Sequence, residues 1–131
     1  MPMKIEHLAI WTRKLERLRA FYEKYFQARS GEKYVNPQKQ FESYFLEFDS
    51  GARLELMRVP QIPDSKNDIN HPFTGIVHFA FSTGSENAVD LLTHRLKEDG
   101  YVIADGPRRT GDGYYESVVF DPDGNRVEIT A

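Results

Sequence analysis

The sequence predicts an α+β fold built from two β-α-β-β-β modules, and three observations support this prediction. Two alternating, strand-like runs at 4–11 and 76–83 each carry a histidine. Each run is followed by an amphipathic stretch with helical spacing. Each module then ends in the same pattern of strand, tight turn and strand, at 44–57 and 117–130, and the two endings align without gaps. The sequence therefore indicates a duplicated unit.

The chain of 131 residues is expected to form a single domain. Hydrophobic residues make up 40% of the sequence and charged residues 28%, a balance typical of a globular protein. The modules are predicted at about 4–58 and 76–131. A segment rich in Pro, Asn and Asp at 59–75 is predicted to connect them.

Composition excludes several classes of function. The net charge of −3 argues against a nucleic-acid-binding protein, because no positive surplus is available for a phosphate backbone. The absence of cysteine excludes disulfides, zinc-thiolate sites and a thiol nucleophile. The sequence shows neither a signal peptide nor an apolar run of about 20 residues, so we expect a cytoplasmic protein without a membrane segment.

The two predicted helices each have one apolar stripe. The stripe residues are Leu15, Leu18, Tyr22 and Tyr25 in the first helix, and Ala88, Leu91, Leu92 and Leu96 in the second. Thr12 is the expected N-cap of the first helix, and Thr83 with Glu86 forms a capping-box pattern before the second. Gly100 is the expected stop of the second helix. Further strands are expected around 29–35 and 101–104.

Each module offers one histidine and one glutamate for chemistry, and these are His7, Glu55, His78 and Glu128. Because side chains alternate along a strand, each of these glutamates lies on the face opposite its aliphatic neighbours, which are the natural support for a helix. Such residues are usually structural or solvent-facing when they occur singly. Their recurrence in both halves favours a functional site instead.

This set of side chains suits a divalent metal. Two neutral imidazoles and two carboxylates balance the charge of M²⁺, and mixed nitrogen and oxygen ligation favours Ni, Zn, Mn, Fe or Co over Ca or Mg. One such ion with open positions can chelate two oxygens of a substrate, while Glu55 or Glu128 moves a proton next to the carbonyl.

The segments around these residues resemble the vicinal oxygen chelate superfamily, the group of glyoxalases, bleomycin resistance proteins and extradiol dioxygenases. The resemblance rests on HLAIWT with His7, RLELM with Glu55, IVHFAFS with His78 and FDPDGNRVEI with Glu128. It implies that the paired modules form a curved mixed sheet around a metal cavity, with the helices on the outer face. It also implies a homodimer, with the ligands of one site coming from one chain or from two.

Within this superfamily the chain is most similar to the glyoxalase I group, the lactoylglutathione lyases, because all four ligand positions are filled. Bleomycin-sequestering members lack the ligands, and fosfomycin-modifying members and extradiol dioxygenases lack the carboxylate found here at Glu55. Methylmalonyl-CoA epimerases usually have Gln at that position. The resemblance implies a catalytic role for Glu55 or Glu128. Of the two, the family analogy slightly favours Glu128 as the base.

Two departures from the glyoxalase I pattern affect the expected substrate. Trp11 and Val59 stand where bacterial members have an Arg and an Asn, the first of which helps to anchor glutathione. An aromatic and an aliphatic side chain there favour a more apolar or planar substrate. Trp11, Arg109 and Tyr114 are the predicted substrate-binding residues, the last two in a Gly-rich loop with Arg108.

The sequence thus predicts a metal-dependent lyase or isomerase acting on a small carbonyl compound or its thiol adduct. The alternative is a protein that binds or modifies a small molecule or antibiotic on the same fold, by sequestration or by thiol transfer. Ligand binding that survives chelation of the metal would distinguish sequestration, and thiol-dependent consumption of an epoxide would distinguish transfer.

Overall fold

The computed structural model describes residues 2–131, and it contains nine strands and two helices within that range. The chain divides into two compact units, the first ending at Ser65 and the second beginning at Lys66. This boundary lies inside the segment predicted as a connector. Whether the two units constitute one domain stays a prediction.

The first unit is a mixed sheet with one helix. Its elements are β1 (His7–Trp11), α1 (Leu15–Phe26), β2 (Arg29–Ser30), β3 (Tyr34–Asn36), β4 (Phe41–Glu47) and β5 (Arg53–Arg58). The strand order is β1-β5-β4-β2, with β3 also paired to β4, and β1 runs parallel to β5. The strand expected around 29–35 is therefore two short strands that both pair with β4.

The second unit has the predicted β-α-β-β-β order. Its elements are β6 (Phe79–Ser82), α2 (Glu86–Glu98), β7 (Ile103–Arg109), β8 (Tyr115–Phe120) and β9 (Arg126–Thr130). The strand order is β6-β9-β8-β7, and β6 runs parallel to β9. The predicted α+β class is confirmed. Within residues 2–131, neither helix has the length and apolar character needed to cross a bilayer.

Helix α1 buries the predicted stripe. Leu15, Leu18, Tyr22 and Tyr25 are all buried, and α1 contacts β4 and β5, whose inward residues Leu46, Leu54 and Leu56 are buried. The expected cap at Thr12 is wrong, because the helix begins at Leu15 with Lys14 in the N-cap position. The Thr12 hydroxyl instead accepts a hydrogen bond from the Lys14 backbone N–H at 2.9 Å, which forms a turn before the helix.

Helix α2 buries the predicted stripe only in part, since Leu96 is buried as expected. Its buried residues are Val89, Thr93 and Leu96, whereas Leu91 is exposed. The polar Thr93 can be buried in the core because its hydroxyl is hydrogen-bonded. It donates to the Val89 carbonyl at 2.6 Å and pairs with the Ser117 hydroxyl of β8 at 2.7 Å. Periodicity counted on apolar residues alone therefore included the exposed Leu91 and missed the buried Thr93.

The ends of α2 agree with the sequence only in part. Ser85 is the N-cap, and its side chain accepts a hydrogen bond from the Ala88 backbone N–H at 3.1 Å. The predicted cap Thr83 instead donates to the carbonyls of Ser85 and Thr130. The predicted stop at Gly100 is confirmed, because this residue follows the C-cap Asp99 with φ of +93°.

Candidate metal centre

Strand register gives the histidine and the glutamate of each unit equivalent positions. In the first sheet Ala9 of β1 pairs with Glu55 of β5, and in the second sheet Ala80 of β6 pairs with Glu128 of β9. Each histidine lies two residues before that alanine. His7 is the first residue of β1, whereas His78 immediately precedes β6, which begins at Phe79 rather than at residue 76 as predicted. Continuing the alternation of side chains back from each alanine places each histidine on the sheet face of the glutamate of its own unit.

The face that carries each pair is the one turned away from the helix of its unit. Leu54 and Leu56, which flank Glu55, are buried under α1, and Val127 and Ile129, which flank Glu128, are completely buried on the α2 side. Burial of the aliphatic neighbours thus fixes the outward direction of both glutamates.

The two side chains of each pair are close together. In the first unit His7 Nε2 lies 3.7 Å from Glu55 Oε1, and in the second unit His78 Nε2 lies 3.0 Å from Glu128 Oε2. The glutamate side chains are 15% and 21% exposed, and the histidine side chains 41% and 34%. Both pairs are therefore half-buried and reachable by an ion or a small molecule.

The donor chemistry of each pair fits a divalent transition metal. Two donors about 2.1 Å from one ion are about 3.0 Å apart at right angles and about 3.4 Å apart at tetrahedral angles. The 3.0 Å between His78 and Glu128 matches the separation at right angles. The 3.7 Å between His7 and Glu55 is a few tenths of an ångström longer than the tetrahedral separation. No group of three or more His, Asp or Glu side chains able to hold a metal occurs among residues 2–131, so each pair by itself offers two donors.

A carboxylate that the sequence analysis missed lies on the other side of His7. Glu6 Oε1 is 3.0 Å from His7 Nδ1, and Arg53 donates to Glu6 Oε1 at 2.6 Å and to Oε2 at 3.3 Å. These hydrogen bonds, first from Arg53 and then from His7, hold the pKa of Glu6 below its usual range. The adjacency of Glu6 to His7 in the sequence was the only feature that could have indicated this contact.

A second missed carboxylate, Glu116 of β8, lies beside Glu128. Glu116 precedes Val118 by two residues, and Val118 is the register partner of Glu128, so the two glutamates share a face. Burial, followed by a hydrogen bond with Glu128, raises the pKa of Glu116. Alternation along β8 could have revealed this residue. Its counterpart in the first unit, at the spacing of the two hairpins, is Ser43.

Aromatic rings lie next to Glu55 on the same face of the first sheet. Trp11 pairs with Met57, two residues after Glu55 and so on the same face, and its ring meets Phe41 edge to face at 6.2 Å between centroids. Phe41 in turn contacts Tyr34 at 6.1 Å. Trp11 is 46% exposed, so this ring cluster presents apolar surface beside the His–Glu pair.

The two other predicted substrate-binding residues, Arg109 and Tyr114, lie in the second unit, away from the ring cluster around Trp11 in the sequence. Arg109 and Arg108 belong to β7 rather than to the expected loop, because the strand extends further than the sequence indicated. Arg109 pairs with Tyr115 in register and forms an ion pair with Glu86 of α2, which places it on the helix-bearing face. Tyr114 is exposed between β7 and β8. Contact of either residue with a substrate stays a prediction.

The neighbouring Arg108 faces the other way. It pairs in register with Glu116, on the face that carries Glu128. Its Nε lies 3.0 Å from both carboxylate oxygens of Asp105, and these hydrogen bonds hold the pKa of Asp105 below its usual range. Of the two arginines, Arg108 is therefore the one on the site face of the second unit.

Comparison with known proteins agrees with this architecture. The family model described as the Glyoxalase/Bleomycin resistance protein/Dioxygenase superfamily matches residues 4–129. A Bacillus cereus structure described as a possible glyoxalase is 27% identical, with a TM-score of 0.72, and the match covers 99% of this chain and all of that one. The comparison with curated proteins gives no significant match.

Two further solved structures are similar. The lactoylglutathione lyase of Agrobacterium tumefaciens is 26% identical, with a TM-score of 0.69 over 98% of this chain and 93% of that one. The trypanothione-dependent glyoxalase I of Leishmania major is 21% identical, with a TM-score of 0.77 over 98% and 86%, and supports the fold alone. The resemblance noted from the sequence is confirmed, and the chain belongs to the glyoxalase, bleomycin resistance protein and dioxygenase superfamily.

Proposed function

We propose that this protein is a divalent-metal-dependent lyase or isomerase of glyoxalase type, acting on a small carbonyl compound or its thiol adduct. The observation that carries the proposal is the pair of His–Glu contacts, His7 with Glu55 and His78 with Glu128, at equivalent register positions of two sheets. These four residues are the proposed metal ligands. The ion is Ni, Zn, Mn, Fe or Co, as mixed nitrogen and oxygen ligation favours.

The proposed chemistry divides between the ion and the glutamates. A bound divalent ion supplies Lewis acidity toward two adjacent substrate oxygens. Glu55 and Glu128 are the proposed bases, because each places a half-buried carboxylate on the face open to a small molecule. A carboxylate there accepts the proton from the carbon beside the carbonyl and returns it to the neighbouring carbon. Glu116 lies beside Glu128 on the same sheet face, and a hydrogen bond joins the two side chains.

The ring cluster of Trp11, Phe41 and Tyr34 supports a substrate with a planar or apolar part. The three rings meet edge to face and leave Trp11 46% exposed and Tyr34 56% exposed beside the first pair. Aromatic side chains bind flat apolar groups by stacking and by burial of surface. The lactoylglutathione lyase among the similar structures supports a thiol adduct as the substrate class.

A turnover assay tests the proposal. Methylglyoxal and phenylglyoxal are each mixed with several thiols and offered to protein reconstituted with Ni, Zn, Mn, Fe or Co. We expect metal-dependent consumption of at least one adduct, faster with phenylglyoxal, and a loss on the order of 100-fold or more in Glu128→Gln. Glu32→Gln, a change of the same kind at an exposed residue of the first unit, serves as the control and should retain activity.

A binding protein without turnover is the second candidate, and the exposed ring cluster is the observation that favours it. In that case phenylglyoxal adducts or other planar compounds would quench the fluorescence of Trp11, the single tryptophan. Binding would survive chelation of the metal and the double change His7→Ala with His78→Ala. Absence of turnover with every metal and thiol, together with such binding, would contradict the lyase proposal.

A further inference from the structure

We propose that Glu6 is a positioning residue for His7: it holds the proton on Nδ1 and thereby leaves Nε2 as the free nitrogen next to Glu55. The role in metal binding rests on the proposed function, because it concerns a proposed ligand. The effect on the imidazole itself does not, since it follows from the contacts of His7 alone. Glu6 lies outside the ligand set that the sequence predicted.

Hydrogen-bond chemistry determines which nitrogen carries the proton. An ionised carboxylate can only accept, so the 3.0 Å contact between Glu6 Oε1 and His7 Nδ1 requires a proton on Nδ1. In a neutral imidazole the other nitrogen then has a free lone pair. That nitrogen, Nε2, is the one that lies 3.7 Å from Glu55 Oε1. In the neutral ring, the nitrogen with the free lone pair and the Glu55 carboxylate are therefore neighbours on one face of the sheet.

Glu6 is itself held in place by Arg53. The guanidinium donates to both carboxylate oxygens, at 2.6 and 3.3 Å, and the Arg53 backbone N–H donates to the Glu6 carbonyl at 2.9 Å. The guanidinium also lies 4.2 Å from the centre of the Phe45 ring, which the His7 ring meets edge to face at 5.4 Å. Arg53, Glu6 and His7 thus form a chain of contacts over one aromatic ring.

The second unit lacks this arrangement. The residue before His78 is Val77, whose side chain offers no hydrogen-bond acceptor. Arg126, the counterpart of Arg53, lies over the Phe120 ring at 5.9 Å. The proposed fixing of the tautomer by a preceding carboxylate therefore applies to His7 alone, and His78 serves as an internal reference in the same molecule.

A carboxylate on the second nitrogen of a ligating histidine has a known physical effect. It fixes the tautomer and the ring orientation, raises the basicity of the ligating nitrogen, and typically changes metal affinity by about 10- to 100-fold. Loss of Glu6 should therefore weaken metal binding without removing any ligand.

The tautomer is measured first, in the full-length metal-free protein labelled with ¹⁵N-histidine. Two-bond ¹H–¹⁵N correlation spectra near neutral pH separate the Nδ1–H form from the Nε2–H form. We expect the Nδ1–H form at His7 in the wild type and a shift toward Nε2–H in Glu6→Ala. Glu6→Gln should retain the Nδ1–H form, because its amide oxygen still accepts. Glu32→Ala removes the same charge at an exposed residue and should leave the spectrum unchanged.

Metal affinity is measured next by titration of the same proteins with Zn²⁺. We expect Glu6→Ala to bind about 10- to 100-fold more weakly than the wild type, and Glu6→Gln to lie between them. Equal affinities in the wild type and Glu6→Ala would overturn the positioning role in metal binding. An unchanged His7 tautomer in Glu6→Ala would overturn the inference as a whole. A wild type that binds none of the candidate metals, with the tautomer shift still present, would contradict the proposed function and support the effect of Glu6 on His7.

Discussion

The ion pair between Asp105 and Arg108 shows how a single contact in the second unit responds to pH. Hydrogen bonds from Arg108 lower the pKa of Asp105 below its usual value of 3.8. A lowered folded pKa contributes stability above the unfolded value, and this contribution is lost as the pH falls through the folded value. Because the two side chains are 40% and 54% exposed, the contribution is small.

We expect Arg108→Met to raise the pKa of Asp105 toward its ordinary value. Titration of the carboxyl carbon by NMR measures this directly. Lys97→Met removes a positive charge from α2 of the same unit and should leave the titration of Asp105 unchanged. An identical pKa in the wild type and Arg108→Met would show that the hydrogen bonds are absent in solution.

Gly106 occupies a position that only glycine fits. Its φ is +77°, and a Cβ built there would lie 2.5 Å from the Glu116 carbonyl oxygen and 3.0 Å from the Ser117 Cα. Both neighbours belong to the backbone of β8 and cannot move aside cheaply. Close packing of β7 on β8 therefore requires glycine at this point.

We expect Gly106→Ala to destabilise the protein by about 1–3 kcal/mol, as strain at a positive φ and a backbone clash would do. Gly111→Ala is the matched control, because a Cβ there meets no atom within 4 Å. Gly111→Ala should change the free energy of unfolding by less than about 0.5 kcal/mol. Urea unfolding of the two variants compares them, and equal midpoints would contradict this account of β7 and β8.

At the scale of elements, α2 is joined to β8 by a hydrogen bond inside the core. Thr93 donates its proton to the Val89 carbonyl, so the Ser117 hydroxyl donates to Thr93 at 2.7 Å. Both residues are buried. A helix and a strand are thus aligned by polar atoms where apolar packing would be expected.

We expect Thr93→Val to cost about 1–3 kcal/mol, because it leaves the buried Ser117 hydroxyl without this acceptor. Adding Ser117→Ala should recover part of that loss, since the unsatisfied group is then removed. A double-mutant cycle measured by urea unfolding gives the coupling. Strictly additive effects would mean that the two hydroxyls do not interact.

The helices and strands were predicted from the sequence only where local spacing determines them. The α1 stripe and both terminal hairpins were predicted correctly, because apolar spacing and the glycine turns at Gly51 and Gly124 determine them locally. The α2 stripe was right at Leu96 but missed Thr93, whose hydroxyl is satisfied in the core by Val89 and by Ser117 of β8. The extension of β7 to Arg109 depends on pairing with β8, which local spacing does not encode.

The candidate site was likewise predicted where the sequence carries a signal, here the repeat, and missed where it does not. His7, Glu55, His78 and Glu128 were identified because the duplication repeats them, and the structure brings each His close to a Glu of its own unit. Glu6 and Glu116 were missed because Val77 and Ser43 stand at the equivalent positions, so repetition gave no indication of them.

At the scale of the whole molecule, the two units share a four-strand order, to which the first unit adds β3, and they give the same pair of residues different surroundings. The first unit surrounds its pair with Glu6, Arg53 and aromatic rings. The second places the carboxylate of Glu116 beside Glu128. We infer that the equivalent proposed ligands have separate roles, since His7 contacts Glu6 and Glu128 is hydrogen-bonded to Glu116.

Metal content tests the central claim most directly. Protein purified without an affinity tag is analysed by mass spectrometry for bound metal, beside Glu55→Gln and Glu128→Gln, which keep the side-chain size and remove the ligand charge. The account predicts about one divalent ion per chain in the wild type and its loss in both variants. A wild type that holds no metal, even after reconstitution with Ni, Zn, Mn, Fe or Co, would contradict it.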